Sequence, residues 1–541
     1  MAVVGASRAA LRSIDPPTRP QYPYDTQPAQ REGSKPVYEI SGDTAVRIPM
    51  RDGVHLAADV YRPVAPGERF PALVATSPYT RQLQRTEHPD GQNEAGISEF
   101  WVPHGYAHVI VDVRGTNESE GEYDHMGPVE RRDLFDVIEW AAAQPWCDGR
   151  VGMTGESYYA WSQWMAAAEG PPHLGAIFAQ CGSVDLYRER YYHGGILKRG
   201  VASLFYVVRE INGRREDVSA IRRHTNAILR NEHPFDDDYH RERLSWARLD
   251  RVGVPAYVLG TWKHVSTHLR SAFEAYGAID VPKRLVIGPS PWPRKPMAPY
   301  HREALRWYDH HLKGMDTAVM EGDPIRLWVM GAERWRGERE WPLARTEWRE
   351  YFLAGASGAS ERELITSPRD GEAAWSFDPS TRDSYVGTAA VVYRTAPFAT
   401  ATEVTGPLAL YLTVASSAAD QDWIVIVSDE APNGKTRELT RGWLRASHRA
   451  LDTARSTPWR PFHPHDRADP VPTGDAAELA IEIWPTSNVF APGHRLRLDI
   501  ANSDDQSDTS DAHATLLLPS RNTILEGRAH RSRLLVPVVP D

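Results

Sequence analysis

The chain has 541 residues, more than a single hydrophobic core normally organises, so we expect two or three domains. A hydrophobic content of 41% and a charged content of 25% are typical of a soluble globular protein, while the net charge of −10 argues against general nucleic-acid binding. Two cysteines are too few for a disulfide framework, and no apolar run approaches the roughly 18 residues that span a bilayer. These features favour a cytoplasmic enzyme with a small-molecule substrate and no nucleic-acid or membrane partner.

The first half of the chain predicts an arm followed by a parallel sheet. Residues 1–36 are rich in Pro, Arg and Gln and have no hydrophobic periodicity, which indicates an arm. Residues 37–184 and 252–320 contain short apolar runs, and helical spacing at Arg131–Ala143 stands between two of them. Such alternation predicts an α/β domain with a mostly parallel sheet. The main predicted strands lie at 71–76, 108–113, 150–154, 176–179, 256–259 and 284–287.

Two further regions have a different character. Residues 185–251 are charged, contain strong helix formers and show few strand signals, which predicts an inserted helical cap. Residues 321–541 contain short alternating strands separated by Gly, Pro, Asn and Asp, which predicts an all-β sandwich.

The most informative local pattern is the segment Val151–Ala160. An apolar approach leads into Gly155-Glu156-Ser157, and a helix-forming run follows, as in the strand, sharp turn and helix of a nucleophile elbow. A glycine suits position 155 because the helix packs closely on the strand there. Tyr159 replaces the second glycine of Gly-x-Ser-x-Gly, so an ordinary strand-helix turn remains the alternative.

Several motifs spread over the chain resemble the cocaine esterase and X-prolyl dipeptidyl aminopeptidase family, the CocE/NonD-type hydrolases. The resemblance covers nearly everything after residue 37, and the order and spacing of the motifs carry it. They are Ser77-Pro-Tyr79, Asp112-Val-Arg-Gly115, Gln144-Pro-Trp146, Gly155-Glu-Ser-Tyr158, Tyr191-Tyr-His-Gly-Gly195, Trp307-Tyr-Asp309, Leu312-Lys-Gly314, Gly442-Trp-Leu-Arg445 and Gly493-His-Arg-Leu-Arg497.

The resemblance implies an α/β-hydrolase core, a helical cap and a C-terminal jelly-roll domain. It also implies a serine acyl-enzyme mechanism on esters or amides. No constellation of metal ligands is visible in the sequence, and no cofactor is expected. Ser157 would attack the carbonyl, and the backbone N–H of Tyr158 and the hydroxyl of Tyr79 would hold the oxyanion. Donors aimed at the developing charge stabilise the transition state more than the ground state.

The chain departs from the family pattern at the two other members of the triad. The family's acid closes a Gly-x-Trp-x-Asp stretch, and here His264 stands in its place after Trp262. The family's base closes a Gly-Pro-Trp-x-His stretch, and here Trp292 stands in its place. His264 is a candidate base for Ser157 directly, and the alternative is that His264 and Trp292 only fill space.

Large aromatic side chains near the elbow and these loops are the predicted lining of a substrate pocket. They are Tyr159, Trp161, Tyr191, Tyr192, Trp262 and Trp292.

Three functions are compatible with these residues. The first is an active serine hydrolase or acyl transferase with an atypical base. The second is an enzyme whose chemistry has moved to acyl transfer, cyclisation or elimination in small-molecule biosynthesis, and the third is a binding protein that retains the pocket. Assembly into a homodimer is left open.

Overall fold

The computed structural model of the protein describes most of the chain. The described residues are 31–84, 94–200, 218–243, 246–262, 265–289, 300–355, 362–369, 372–377, 391–503, 512–516 and 518–540. Most of the predicted arm, His264 and Trp292 therefore lie outside the described residues. No helix in the ranges just given is long and apolar enough to cross a membrane.

Among the described residues up to 338 there are twelve strands, and ten of them form one mixed sheet in the order β1-β2-β4-β3-β5-β6-β9-β10-β11-β12. Pairing is parallel from β4 through β11 and antiparallel at both ends. The strands are β1 Ile40–Pro49, β2 His55–Pro63, β3 Phe70–Ser77, β4 Ala107–Asp112, β5 Cys147–Glu156, β6 Leu174–Gln180, β7 Tyr192–His193, β8 Ile196–Leu197, β9 Ala256–Thr261, β10 Lys283–Gly288, β11 Ile325–Val329 and β12 Arg334–Glu338.

Helices cover the sheet and form the cap. They are α1 Arg81–Gln84, α2 Ser98–Trp101, α3 Pro128–Ala142, α4 Tyr158–Glu169, α5 Val218–Leu229, α6 Asp238–Arg241, α7 Arg270–Ala278 and α8 His301–Lys313, with π-helices at Leu186–Tyr191 and Val265–Leu269 and 3₁₀-helices at Trp246–Arg251 and Ala446–His448. The predicted helix at 131–143 is α3, which begins earlier because Pro128 suits the first turn of a helix.

The core lies on both faces of the sheet. Ala72 and Val74 of β3 join a cluster with Leu134 of α3, while Leu73 between them joins a second cluster with Trp307 of α8. Successive side chains of a strand point to opposite faces, so a strand covered on both sides is apolar throughout. This explains why the buried strands could be recognised in the sequence as continuous apolar runs.

The region between β6 and β9 is the predicted cap. Its described part contains several helical segments and also the short antiparallel hairpin β7–β8, which was not predicted.

The C-terminal region is an all-β domain, and its described part contains eleven strands. They are β13 Glu347–Gly355, β14 Arg362–Ile365, β15 Glu372–Phe377, β16 Val391–Arg394, β17 Thr402–Ser416, β18 Asp422–Glu430, β19 Thr436–Arg445, β20 Ala477–Phe490, β21 Arg495–Ala501, β22 Asn522–Gly527 and β23 Arg533–Val539. The strands pair in the order β17-β20-β19-β18-β21-β16-β14-β13-β23. Because β23 also pairs with β17, these nine strands close into a barrel. The predicted mostly parallel sheet followed by an all-β domain is confirmed, but the C-terminal strands form one sheet that closes into a barrel, whereas a sandwich was predicted.

The first sheet continues past residue 320, where the sequence analysis ended it. β11 (Ile325–Val329) pairs in parallel with β10, and β12 (Arg334–Glu338) pairs in antiparallel fashion with β11. A short strand such as Ile325–Val329, apolar except for Arg326, suits either sheet, and only its tertiary partner decides which one it joins.

Candidate active site

The predicted nucleophile and oxyanion tyrosine follow two neighbouring strands. β3 and β5 pair in parallel with Val74 opposite Met153, so Ser77 and Glu156, each three residues further on, end the strands at the same edge. Tyr79 and Ser157 therefore leave the sheet side by side. Ligands of open α/β sheets bind outside the carboxyl ends of the strands.

The sharp turn predicted at Ser157 is present. Ser157 has φ 59° and ψ −118°, a conformation that costs a non-glycine residue about 1–3 kcal/mol. Its N–H donates to the carbonyl of Gln180 at 3.0 Å, and its carbonyl accepts the N–H of Ala160 at 2.9 Å. The serine thus joins β5 to the first turn of α4 in a fixed orientation.

Gly155 is required by the close packing of this turn. Its φ is 124°, and a Cβ built on it would lie 2.4 Å from the Cβ of Tyr159 and 2.8 Å from the carbonyl oxygen of Glu94. The glycine is therefore the residue that lets α4 approach the strand so closely.

Tyr158 is the first residue of α4, the helix that follows the turn. In a nucleophile elbow the backbone N–H of this residue points toward the oxyanion. Its side chain turns inward, is fully buried and donates its hydroxyl to Glu130 at 2.8 Å. The aromatic part of Tyr158 thus anchors the helix, and the position's catalytic contribution would come from the main chain.

Tyr79 lies next to both elbow tyrosines and is only partly buried. Its ring centroid is 6.1 Å from that of Tyr158 and 6.2 Å from that of Tyr159, in edge-on geometry. Its N–H donates to Oγ of Ser77 at 3.0 Å, which fixes the start of the loop.

A buried ion cluster holds the other end of the Tyr79 loop. The Arg81 N–H donates to Asp112 at 3.0 Å, and its Nε donates to Asp59 at 3.0 Å. All three side chains are at most 1% exposed. Burial raises the pKa of Asp112 to about 6 in spite of the adjacent guanidinium. Asp112 thus supports the loop of a predicted oxyanion donor.

Two carboxyl groups lie beneath the elbow. Glu156 is 2% exposed and accepts the side-chain amide of Gln180 at 3.0 Å, and burial raises its pKa well above the ordinary value, with a further contribution from Glu94. Burial also raises the pKa of Glu94 to about 8, and the buried Oε2 of Glu94 has no hydrogen-bond partner among the described residues. Sequence reasoning missed Glu94 because it lies more than 60 positions from the elbow in a segment without a motif.

The strands that precede the two predicted triad positions end at the same edge of the sheet. Gln180 pairs with Leu259, and Thr261 pairs with Gly288, so β9 and β10 end level with the elbow. His264 and Trp292 follow these strands in the sequence but lie outside the described residues, and their roles stay predictions. Trp262 is 4% exposed and donates its indole N–H to the carbonyl of Trp328 at 2.7 Å.

The other aromatic residues predicted to line a pocket are well packed. Tyr159 is fully buried against Ala75, Ala95 and Ile110. Trp161 is 1% exposed, with the guanidinium of Arg190 5.0 Å from its ring centroid.

Tyr191 and Tyr192 lie at the junction of the cap π-helix and β7 and are 3% and 1% exposed. Tyr192 stacks on Tyr187 and donates its hydroxyl to Asn231 at 3.0 Å. In the structure, Tyr159, Trp161, Tyr191 and Tyr192 pack against other protein side chains. Their contact with a substrate stays a prediction.

No metal centre is found in the part of the chain that the structure describes, where no three His, Cys, Asp or Glu side chains gather in a way that could hold an ion.

Comparisons with known proteins agree with the architecture. The sequence model of the X-Pro dipeptidyl-peptidase (S15) family matches residues 52–292, and that of the X-Pro dipeptidyl-peptidase C-terminal non-catalytic domain matches residues 317–535. Cocaine esterase of Rhodococcus sp. (strain MB1 Bresler) is 29% identical, over 91% of this chain and 98% of that protein.

Two solved structures have the same overall fold. A CocE/NonD family hydrolase from Staphylococcus aureus superposes with a TM-score of 0.81 at 23% identity, covering 93% of this chain and 94% of its own. An aminopeptidase from a marine sediment Thaumarchaeota archaeon gives a TM-score of 0.72 at 17% identity, covering 95% and 99%. The predicted fold, an α/β-hydrolase core with a C-terminal all-β domain, is therefore confirmed.

Proposed function

This chain belongs to the CocE/NonD-type family of α/β-hydrolases, and from that premise we propose that it is a serine hydrolase or acyl transferase that acts on an ester or amide through Ser157. The observation that carries the proposal is the backbone of Ser157, held at φ 59° and ψ −118° at the carboxyl edge of the sheet. Strain of this kind persists where the surrounding structure enforces it, and it is concentrated at functional sites.

The proposed chemistry follows the ordinary acyl-enzyme route. Oγ of Ser157 attacks the substrate carbonyl, loses its proton to a base and forms a tetrahedral oxyanion. The N–H of Tyr158 and the hydroxyl of Tyr79 donate to that oxyanion. The leaving group then departs with a proton, and water or another acceptor takes the acyl group from the serine.

His264 is the proposed base. A serine hydroxyl needs a group that removes its proton, and a neutral imidazole is suited to this near neutral pH. His264 stands two residues after Trp262 and three after Thr261, where β9 ends level with the elbow. In this arrangement the histidine would act without an orienting carboxylate.

A second candidate function is favoured by the replacement of the family's histidine by Trp292. Tyr79 and Tyr158 would then polarise a substrate carbonyl without a covalent serine, for acyl transfer, cyclisation or elimination. A non-catalytic binding protein on the same scaffold is the remaining alternative.

A fluorophosphonate probe tests the nucleophile. We expect labelling of the wild-type protein that Ser157→Ala abolishes, with the modified residue identified by peptide mass spectrometry. His264→Ala should lower the labelling rate by on the order of 10⁴-fold, the scale of losing a triad member. The rate should rise with pH as the imidazole loses its proton, near the unperturbed histidine value of about 6.5. Unlabelled wild-type protein would favour the carbonyl-polarising alternative.

Restoring the family's residues gives an independent test. His264→Asp combined with Trp292→His should raise hydrolysis of p-nitrophenyl acetate above that of the wild type. Strong wild-type turnover that Ser157→Ala abolishes and His264→Ala leaves intact would show that another residue is the base.

A further inference from the structure

Five buried side chains form a continuous chain of hydrogen-bond contacts behind the elbow. The hydroxyl of Tyr158 contacts Oε1 of Glu130 at 2.8 Å and the hydroxyl of Tyr123 at 3.1 Å. The hydroxyl of Tyr123 lies 3.0 Å from Nδ1 of His125, and Nε2 of His125 contacts the hydroxyl of Tyr191. Each of the five residues is at most 4% exposed, so little water competes for these contacts.

The donor and acceptor roles follow from the end of the chain. With Glu130 as a carboxylate, it only accepts, so the single proton of Tyr158 points to Glu130. Tyr158 then accepts from Tyr123, and Tyr123 accepts from Nδ1–H of His125. This leaves Nε2 of a neutral His125 to accept from Tyr191. With Glu130 as a carboxylate and His125 neutral, this assignment points all the protons in one direction, an arrangement in which each bond polarises the next.

The chain joins elements that are distant in sequence. Glu130 belongs to α3, Tyr158 begins α4, and Tyr191 ends the π-helix of the cap. Between them, His125 and Met126 have φ 47° and φ 60°, so two consecutive non-glycine residues are in the left-handed region. The N–H of Met126 donates to Oε2 of Glu130 at 2.7 Å, which fastens this strained loop to the acceptor that holds Tyr158.

We infer that Glu130, Tyr123 and His125 are positioning residues that orient the backbone N–H of Tyr158 toward the oxyanion. Through Tyr191 they also make that orientation depend on the position of the cap. The inference rests on the proposed function of Ser157 and Tyr158. An oxyanion donor is effective only within a narrow distance of the developing charge, so a small shift at the start of α4 lowers the rate of acylation. Binding of a small probe outside the covalent step should be unaffected.

The rate of phosphonylation of Ser157 tests this with a matched pair of substitutions. His125→Leu and His125→Gln share the backbone strain, but only glutamine can both donate and accept hydrogen bonds. We expect His125→Leu and Tyr123→Phe to lower the limiting inactivation rate about tenfold with an unchanged half-saturating probe concentration. His125→Gln should recover most of the rate.

Tyr187→Phe is the control. Tyr187 is a cap tyrosine that is 1% exposed and donates to the carbonyl of Pro234 at 2.7 Å, outside the chain of contacts. Tyr187→Phe should leave the rate of Ser157 phosphonylation unchanged. Equal rates for His125→Leu, His125→Gln and Tyr187→Phe would overturn the inference.

The link to the cap is tested by combining substitutions. Tyr158→Phe and Tyr191→Phe should each slow labelling, and the double variant should be less impaired than the product of the two effects, because both interrupt one chain. Independent, multiplicative effects would overturn the coupling. If Tyr158→Phe fails to fold, the comparison of the two His125 variants decides the matter. Absence of wild-type labelling would instead refute the proposed function, a result distinguishable from active protein that tolerates every substitution.

Discussion

Replacement of Gly155 by alanine measures how tightly the elbow is packed. The substitution adds one methyl group at φ 124°, where it would lie 2.4 Å from the Cβ of Tyr159 and 2.8 Å from the Glu94 carbonyl. Neither neighbour is the end of a flexible side chain, so the strand and α4 must separate. We expect Gly155→Ala to destabilise the α/β domain and to slow labelling of Ser157.

The magnitude has two parts. A side chain in this backbone region costs about 1–3 kcal/mol, and overpacking a tight site costs about a further 1–3 kcal/mol. The total is roughly 2–6 kcal/mol. Gly170 is a matched control, because it ends the same helix at φ 65° and a methyl group added there would have no atom within 4 Å. Gly170→Ala should cost only about 1 kcal/mol.

Urea unfolding followed by tryptophan fluorescence gives the free energy of unfolding of both variants at one pH. The fluorophosphonate rate, measured on folded protein below the transition, reports the geometry of the elbow. The Gly155→Ala variant could prove no more destabilised than Gly170→Ala and could be labelled at the wild-type rate. That result would show that α4 does not pack on β5 as closely as described. The packing explanation for the glycine would then fall.

Three further predictions concern buried charges. Arg81→Met leaves two buried carboxylates without their partner and should cost about 3–5 kcal/mol in urea unfolding, whereas Arg62→Met, which breaks an exposed pair, should cost less than about 1 kcal/mol; equal costs would contradict the buried cluster. Burial raises the pKa of Glu94 to about 8, so the folded state keeps a proton that the unfolded chain loses at about pH 4.3. The free energy of unfolding of the wild type, relative to that of Glu94→Gln, should therefore decrease as the pH rises from about 4 to about 8. Parallel stability curves for these two proteins would show that Glu94 is solvated. Burial lowers the pKa of His448 to about 4, so its contribution is complete above about pH 6.5 and is lost as the pH falls through about 4; His448→Gln should flatten acid unfolding, and an unchanged acid midpoint would rule this out.

The sheet was predictable where a strand is buried on both faces. The apolar runs at 71–76 and 108–113 correspond to β3 Phe70–Ser77 and β4 Ala107–Asp112 within two residues, because every position in these strands is buried. The two-residue strands β7 and β8 could not be recognised, since periodicity needs more positions than they have.

From the residues alone, the candidate site was predictable only where it is local in sequence, while Tyr79 was predicted from the resemblance to the family. Ser157 and its glycine stand within one short motif, and the turn between strand and helix is where the motif placed it. The contacts of Tyr158 with Glu130 and Tyr123 join residues 28 and 35 positions apart, and no spacing rule predicts them. Such contacts depend on how the helices pack and on which buried hydroxyl finds which acceptor.

The β7–β8 turn of the cap is enclosed by the barrel domain. A Cβ on Gly194 would lie 2.0 Å from the carbonyl oxygen of Trp443, and one on Gly195 would lie 2.5 Å from the ring of His448. The N–H of Arg445 donates to the carbonyl of Gly194 at 2.8 Å. A different C-terminal domain could not simply replace the barrel, because it would also have to donate a backbone N–H to Gly194 and approach residues 194 and 195 so closely that only glycine fits there.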